Sequence, residues 1–553
     1  MFKSCLPVSI QGTNFLLSAT SINSVWVTRL KSSLVTKTFN PSQTKFANVS
    51  NILTEENPFI IGRHEKPKVD RTAEPIIRCK RAELNHYRNQ KYEDLTKIPL
   101  ASKGWRRSAS KGDHFSILIH TKDFKVESNK EQLTFRDAKL DEALINILAE
   151  HGITEPSEIQ SSAIPHVLEG KNCLIAAETG CGKTLAYLAP IIQQILHLKR
   201  TSKDLDTINA PIGLIITPGR DLAEQIYEVS SWFSSELDLD VQVLTGGRGK
   251  KKMVNAKFEP VDLMIASLGI LSKFTTTRLC SMRNIRHVVL DEADTLLDDS
   301  FNELLLFFLR RFQFTSSSYR EDLGAQMVFA SATMPTSLSQ LLTETVDLEN
   351  VEQITTSGLH FVMPHVKQTF YRTNKSDKPS YLLKAAKEAQ QRKLPTIIFS
   401  NKTSTCDWIN IFLSDNGIKC VNLHGDMPSE LRNGRFKMFQ DGEVNFISTT
   451  DLCARGLDTR RAKRVVNYDF PHFISDYIHR VGRIGRLGSP GNCDVISLVT
   501  NNYLEVKLLQ EMELSVRTQT SFHNVNSNIR RILQHRYEKN SKVVYEISDP
   551  PSP

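Results

Sequence analysis

Long hydrophobic runs are missing from this sequence. The longest uninterrupted one, Leu304–Leu309, spans six residues, against the ~20 that a membrane-crossing helix needs, so no membrane insertion is expected. Nine cysteines are present but no Cys-x-x-Cys pair, which argues against a disulfide framework and against the usual zinc spacings. The thiols are expected to be reduced and mostly buried. Acidic residues are absent from the first 54 positions, where five basic residues stand alone and Glu55 is the first acid. Wholesale disorder is excluded by a content of 40% apolar and 24% charged residues. A chain of 553 residues is too long for one compact unit, and roughly two to four domains are expected.

The net charge of +9 is unevenly spread. Residues 1–54 carry +5, residues 55–115 carry another +5 from 14 basic and 9 acidic groups, and the remaining 438 residues carry −1. The Ser/Thr-rich, acid-free stretch 1–54 has the composition of an organellar transit peptide, with a disordered polar tail carrying no address as the alternative reading. Residues 55–130 form a basic extension in which Arg78-Cys79-Lys80-Arg81, Tyr87-Arg88 and Lys103-Gly104-Trp105-Arg106-Arg107 interleave cations with rings. Such a pattern can follow a phosphate backbone while stacking on bases. A solvated linker has the same composition, so both readings stand. If the first holds, deletion of 55–115 is expected to weaken RNA binding and flatten its salt dependence.

From residue 131 onward, short β-branched runs alternate with helical segments. Cys173–Ala177, Gly213–Thr217, Val241–Leu244, Leu263–Ala266, His287–Leu290 and Gln326–Ala330 read as strands of one unit (131–354), and Val366–Tyr371, Thr396–Phe399, Lys419–Asn422, Asn445–Ser448, Arg464–Asn467 and Asp494–Ser497 as strands of a second (365–515). Strands separated by helix-length segments imply parallel sheets. The expected fold class is therefore α/β, with two tandem parallel-sheet domains facing a cleft, joined by a linker at 355–364 and followed by a tail at 516–553. In such folds ligands bind at the carboxyl ends of the strands.

The first strand runs into Ala177-Glu-Thr179-Gly180-Cys181-Gly182-Lys183-Thr184 and then into an apolar helix, Leu185–Leu198. Strand, glycine turn, Lys-Thr and helix form a P-loop. Its backbone amides can wrap a phosphate at the positive end of the helix. Lys183 is expected to neutralise the β and γ phosphates and Thr184 to hold Mg2+. Another strand delivers Asp291-Glu292-Ala293-Asp294. Beside a P-loop, Asp291 is expected to bind Mg2+, partly through water, and Glu292 to orient or deprotonate the attacking water.

These two motifs together resemble a DEAD-box RNA helicase, and the resemblance runs for nearly 400 residues. It implies two RecA-like domains, ATP and Mg2+ as cofactors and structured RNA as substrate. Gly152-Ile-Thr-Glu-Pro-Ser-Glu-Ile-Gln160 resembles the family's adenine-reading motif, with Phe135 in the place of the aromatic that stacks on the base. Ser331-Ala332-Thr333 resembles the motif that couples ATP state to strand separation. Asp451–Asp458 resembles the motif touching both RNA and nucleotide, which implies a nucleotide contact for Asp458. His479-Arg480-Val-Gly-Arg483-Ile-Gly-Arg486 places Arg483 and Arg486 as arginine fingers, a device worth roughly 10³ to 10⁵ in rate. With the fingers on the opposite domain, hydrolysis becomes conditional on cleft closure, which RNA spanning both domains would favour.

By the same resemblance the RNA face is built from Arg220, Gly246, Gly247, Ser267, Gly269, Arg432 and Thr450. Three positions depart from the family pattern: Gly219, Ser429 and Ile270, the last standing where the family has an arginine. Intact Glu292, Ser331, Thr333, Arg483 and Arg486 favour an enzyme over the competing reading of a nucleotide-gated RNA clamp or ribosome-assembly scaffold. The acid-free leader and the altered Ser267-Leu268-Gly269 motif point to the organellar members, the animal mitochondrial type linked to large-subunit assembly. The expectations that follow are a monomer acting on ribosomal RNA and ribosome-assembly particles in the mitochondrial matrix, with the nucleus as a second compartment.

Overall fold

The computed structural model describes residues 75–118, 133–202, 208–246, 259–297, 301–312, 324–334, 351–363, 366–451, 459–485 and 493–522, apart from a few single positions. In chain order its elements begin with β1 (Pro75–Cys79), β2 (His86–Tyr87), β3 (His114–Ile117), α1 (Glu142–Glu150), α2 (Glu158–Leu168), β4 (Asn172–Ala176), α3 (Lys183–Thr201), β5 (Gly213–Thr217), α4 (Arg220–Ser234), β6 (Val241–Leu244), β7 (Leu263–Ser267), α5 (Leu268–Thr276), β8 (His287–Asp291), α6 (Ala293–Leu296), α7 (Asn302–Leu309), β9 (Gln326–Ser331) and β10 (Val351–Thr355). They continue with β11 (Lys367–Arg372), α8 (Lys378–Gln391), β12 (Thr396–Ser400), α9 (Thr403–Asp415), β13 (Cys420–Leu423), α10 (Ser429–Gln440), β14 (Phe446–Thr450), β15 (Arg464–Asn467), α11 (Ile474–Val481), β16 (Asp494–Val499) and α12 (Tyr503–Thr518).

All twelve strands read from the sequence form. Seven strands make the first sheet in the order β10-β4-β9-β8-β5-β7-β6, and every neighbouring pair is parallel. Its central strands are buried on both faces, which is why they read as continuous Ile/Leu/Val runs. The fully buried β4 and β8 flank β9, and their carboxyl ends carry the P-loop and the acidic motif. Strand β10 adds a parallel edge to β4 just before the linker.

The second sheet has nine strands, β13-β14-β12-β15-β16-β11-β3-β1-β2. Six of them, β13 to β11, are parallel, whereas β3, β1 and β2 continue the sheet antiparallel. Residues 75–117 precede the first domain in sequence yet complete the second. Expected as a basic extension, this segment is built into the fold instead. Phe115 packs on Phe370 at 5.0 Å and on Trp105 at 5.7 Å between ring centroids. Trp105 is fully buried, so its ring is a core residue and cannot stack on a base.

A buried ion pair fastens this edge to α12. Glu513 accepts hydrogen bonds from the Ala101 and Ser102 amides (2.7 and 2.9 Å) and from the Ser102 hydroxyl (2.6 Å). It also pairs with Arg517 at 2.8 Å, with both side chains fully enclosed. Arg517 in turn donates to the Leu84 carbonyl and the Tyr92 hydroxyl. Removing residues 55–115 would therefore strip three strands from the sheet and leave a buried carboxylate short of donors, so that deletion tests folding and not RNA contact. Among the described residues no helix is long and apolar enough to cross a membrane.

Candidate active site

The P-loop turns out of β4 through two glycines in the left-handed region, Gly180 (φ 84°) and Gly182 (φ 94°), a conformation open to glycine at little cost. At Gly182 there is a further reason, because a Cβ would press on the Gln160 side chain. The loop curls around its own lysine: Lys183 Nζ donates to the carbonyls of Ala177 (2.6 Å) and Glu178 (2.8 Å). Ser157 Oγ donates to the Cys181 carbonyl and Gln160 Nε2 to the Gly182 carbonyl, which ties the predicted adenine motif to the phosphate loop. Gln160 Oε1 accepts from the Ser157 amide, so both ends of this amide are engaged within the protein. Phe135 is only 2% exposed and belongs to the cluster around Leu140 and Leu144. Its ring offers no open face in this conformation, so stacking on a base would require the turn at 134–139 to shift. Burial raises the Cys181 thiol above its ordinary range.

Two residues sort out the acidic motif. Asp291 ends β8, fully buried, and its Oδ2 accepts from the Tyr187 hydroxyl at 2.8 Å. That hydroxyl also interacts with Thr184, so Tyr187 stands between the two predicted metal-binding residues. Burial lifts the Asp291 carboxyl to about 6, a rise restrained by the Tyr187 hydrogen bond and increased by the charge on Glu292. A hard cation at Asp291 and Thr184 would favour the ionised form, and the oxygen donors suit Mg2+. Among the described residues no cluster of three His, Cys, Asp or Glu side chains can hold a metal. Mg2+ is normally held by one or two carboxylates, water and substrate phosphate, and so fits this sparse site.

Glu292 has φ 50° and ψ 51°, a left-handed conformation that costs a non-glycine residue about 1 kcal/mol or more and is found at functional sites. Its Oε2 is buried with no hydrogen-bond partner, while Oε1 lies 3.7 Å from Arg483 NH2. Asp294 joins the domains more tightly. Its Oδ2 accepts from the Thr333 amide (3.0 Å) and hydroxyl (2.6 Å), and lies 3.1 Å from His479 Nε2. Burial opposes its charge, but the His479 charge and the hydrogen bonds from His479, Thr333 and Ser331 outweigh it and hold the carboxyl well below the usual range. Ser331 Oγ closes the turn by donating to the Thr333 carbonyl.

Helix α11 and the turn that follows it bring His479 and Arg483 to this cleft. Arg480, on the same helix, is buried and faces away: it forks onto Asp451 (2.6 and 2.7 Å) and donates to the Asn401 side chain and the Asp469 carbonyl. At Gly482 a Cβ would overlap Thr179 Oγ1, so the helix end and the P-loop meet too closely for any side chain. The linker also touches the loop, through Thr356 Oγ1 donating to Glu178 Oε2 at 2.6 Å. Arg486 and Asp458, both predicted at this site, lie outside the described residues.

Residues 157–341 match the DEAD/DEAH box helicase family and 377–488 match the helicase conserved C-terminal domain. The chain is 36% identical over 484 residues to proteins named probable ATP-dependent RNA helicase DDX28 in Mus musculus and Homo sapiens, covering 85% of this chain and 89% of theirs. The chain is a DEAD-box RNA helicase. It binds ATP and hydrolyses it in acting on RNA. Its fold resembles S. cerevisiae Dbp5 bound to RNA and ADP BeF3 (TM-score 0.58, 23% identity, 70% of this chain and 93% of that one) and Mss116p bound to ssRNA and AMP-PNP (0.59, 21%, 72% and 80%).

On the helicase's predicted RNA face, Ser267 ends β7 and Gly269 is exposed in the first turn of α5. Ile270 is 6% exposed and packs in the cluster with Leu268 and Leu271. The family's arginine is thus replaced by a core side chain and not by another surface group. Arg220 is held by Glu224 at 2.9 Å. Arg432 Nε is buried with no hydrogen-bond partner, and its charge is felt by Asp221, whose carboxyl burial raises. Thr450 ends β14 and Gly246 follows β6, whereas Gly247 lies outside the described residues. Sequence reading missed Tyr187 and Thr356. Tyr187 is hidden in an apolar helical run, and Thr356 sits in a stretch with the composition of ordinary linker.

Proposed function

We propose that the helicase separates short RNA duplexes by RNA-stimulated hydrolysis of Mg2+-bound ATP in mitochondria, acting as a monomer on ribosomal RNA during large-subunit assembly. The observation that carries the enzymatic part is the meeting of α11 with the acidic motif, where Arg483, His479, Glu292, Asp294 and Thr333 converge. Asp291 and Thr184 would hold Mg2+, which supplies charge neutralisation on the phosphates. Lys183 and the amides of Thr179 to Lys183 bind phosphate oxygens. Glu292, with one oxygen lacking a partner, positions water, and Arg483 adds positive charge from the opposite domain. Because those groups sit on separate sheets, hydrolysis requires the two domains to close. RNA bridging Ser267, Gly269, Arg432 and Thr450 favours closure, which links strand capture to ATP use.

The acid-free leader and the resemblance to organellar family members support the compartment and the ribosomal substrate. A second reading, a nucleotide-gated clamp with little unwinding, draws on the burial of Ile270 where the family has a phosphate-binding arginine. Measuring ATP hydrolysis and duplex separation for wild type and Glu292→Gln separates the two. The enzyme reading expects RNA-dependent turnover and unwinding, both lowered by about 10² to 10⁴ in the variant with nucleotide binding retained. Turnover without strand separation would favour the clamp. Crosslinking the tagged protein to RNA in cells tests substrate and compartment together, and recovery of only non-ribosomal RNA would overturn that part.

A further inference from the structure

Residues 75–118 turn ten lysine and arginine side chains outward, while among their described acids Glu83 is exposed, Asp94 partly exposed and Asp113 largely covered. Several of the cations are committed. Arg81 pairs with Asp113, Lys97 with Asp94 and Lys111 with Asp377, while Arg106 lies over the Tyr503 ring. Among the described residues, no ion pair engages Arg78, Lys103 or Arg107. Their exposure follows from how the segment folds. Arg78 lies on β1 between buried Ile77 and Cys79, and strand alternation sends its side chain to the other face. Lys103 and Arg107 flank Trp105, whose buried ring anchors the turn and leaves its charged neighbours in solvent.

We propose that this strand-added edge of the second domain is a second docking surface for the RNA backbone, holding RNA that flanks the segment in the cleft. The inference rests on the RNA-helicase reading and deepens it. An excess of exposed cations over acids complements a phosphate chain, and the buried Trp105 leaves electrostatic contact as the means of grip. The surface is separate from the motif face. Strand β3 lies five strands from β14, which ends in Thr450, and five spacings amount to about 24 Å. At about 3.4 Å per phosphate of helical RNA or DNA strand, that gap corresponds to roughly seven phosphates, so only RNA longer than the cleft segment reaches it.

The test uses the full chain with Arg78→Gln, Lys103→Gln and Arg107→Gln combined, since exposed, unpaired side chains can be changed without opening the core. Binding to a hexanucleotide and to an RNA of about 30 nucleotides is measured against salt with a non-hydrolysable ATP analogue present. For the long RNA, affinity is expected to fall about tenfold near physiological salt, and the slope of log affinity on log salt to fall by about 2, from three lost contacts at roughly 0.7 each. Hexanucleotide affinity and melting temperature should stay at wild-type values. Unchanged long-RNA affinity and slope, or equal losses on both RNAs, would overturn the proposal. So would intact RNA binding with lost association to ribosomal particles, which would assign the surface to protein. Wild-type binding of the hexanucleotide tests the helicase reading by itself, so the two failures are distinguishable.

Discussion

Glu513 and Glu292 are both enclosed carboxylates that connect segments distant in sequence, and they are finished to different degrees. At the outer edge of the second sheet, Glu513 has both oxygens occupied by two amides, a hydroxyl and Arg517. In the cleft, Glu292 has one oxygen without a partner, an arginine only within 3.7 Å of the other, and a left-handed backbone. A saturated carboxylate has nothing to offer a substrate and serves the fold. One held in a costly conformation with an acceptor to spare is prepared for something that arrives later.

The largest expected effect breaks the finished side. Glu513→Ala leaves Arg517 enclosed without its partner, a change that costs about 3–5 kcal/mol. Thermal melting should drop accordingly, while turnover per folded molecule is kept. A variant that melts normally would show the edge to be dispensable for stability. Gly482→Ala tests the cleft. The added methyl would separate the P-loop from α11, and a displacement of about 1 Å lowers turnover by roughly 100-fold. RNA-stimulated hydrolysis should fall by that order with melting unaltered, and wild-type turnover would mean that the close approach plays no part in hydrolysis.

Tyr187→Phe sharpens the comparison with a smaller step. Removing a hydrogen bond to a carboxylate is worth about 1.5–3 kcal/mol at most, and less where Mg2+ compensates. Fluorescent-nucleotide binding followed across a Mg2+ titration should shift to higher Mg2+ by several-fold. A loss of nucleotide affinity that is the same with and without Mg2+ would leave Tyr187 as packing alone.

Much of the cleft was legible because its signals are local. A glycine turn between an apolar strand and an apolar helix needs no distant partner to be recognised, and neither does an acidic tetrad at a strand end. The outer edge was not legible. His114–Ile117 does alternate in burial but is only four residues long, and Pro75–Cys79 buries both Ile76 and Ile77, within a stretch whose charge reads as a tether. The partner of β3 outside this segment, β11, lies some 250 residues downstream. Trp105 was misread for the same reason, since an indole between cations resembles a stacking platform until Phe115, itself backed by Phe370, packs against it. Ile270 shows the reverse limit. Sequence comparison reveals a missing arginine, and only packing shows that the position has been turned into core.

The bond between Ser102 and Glu513 spans 411 residues. On a ribosome adding about 5–20 residues per second, the first strands wait roughly 20 to 80 seconds for the helix that locks them. For much of that interval, until β11 is made some 250 residues on, the open edge of β3 presents unpaired backbone to whatever is nearby, the condition under which strands join the wrong partner. A helix made late therefore closes the beginning of the chain, and a ribosome that stalls before β11 leaves behind a complete first sheet beside a strand edge still waiting for its partner.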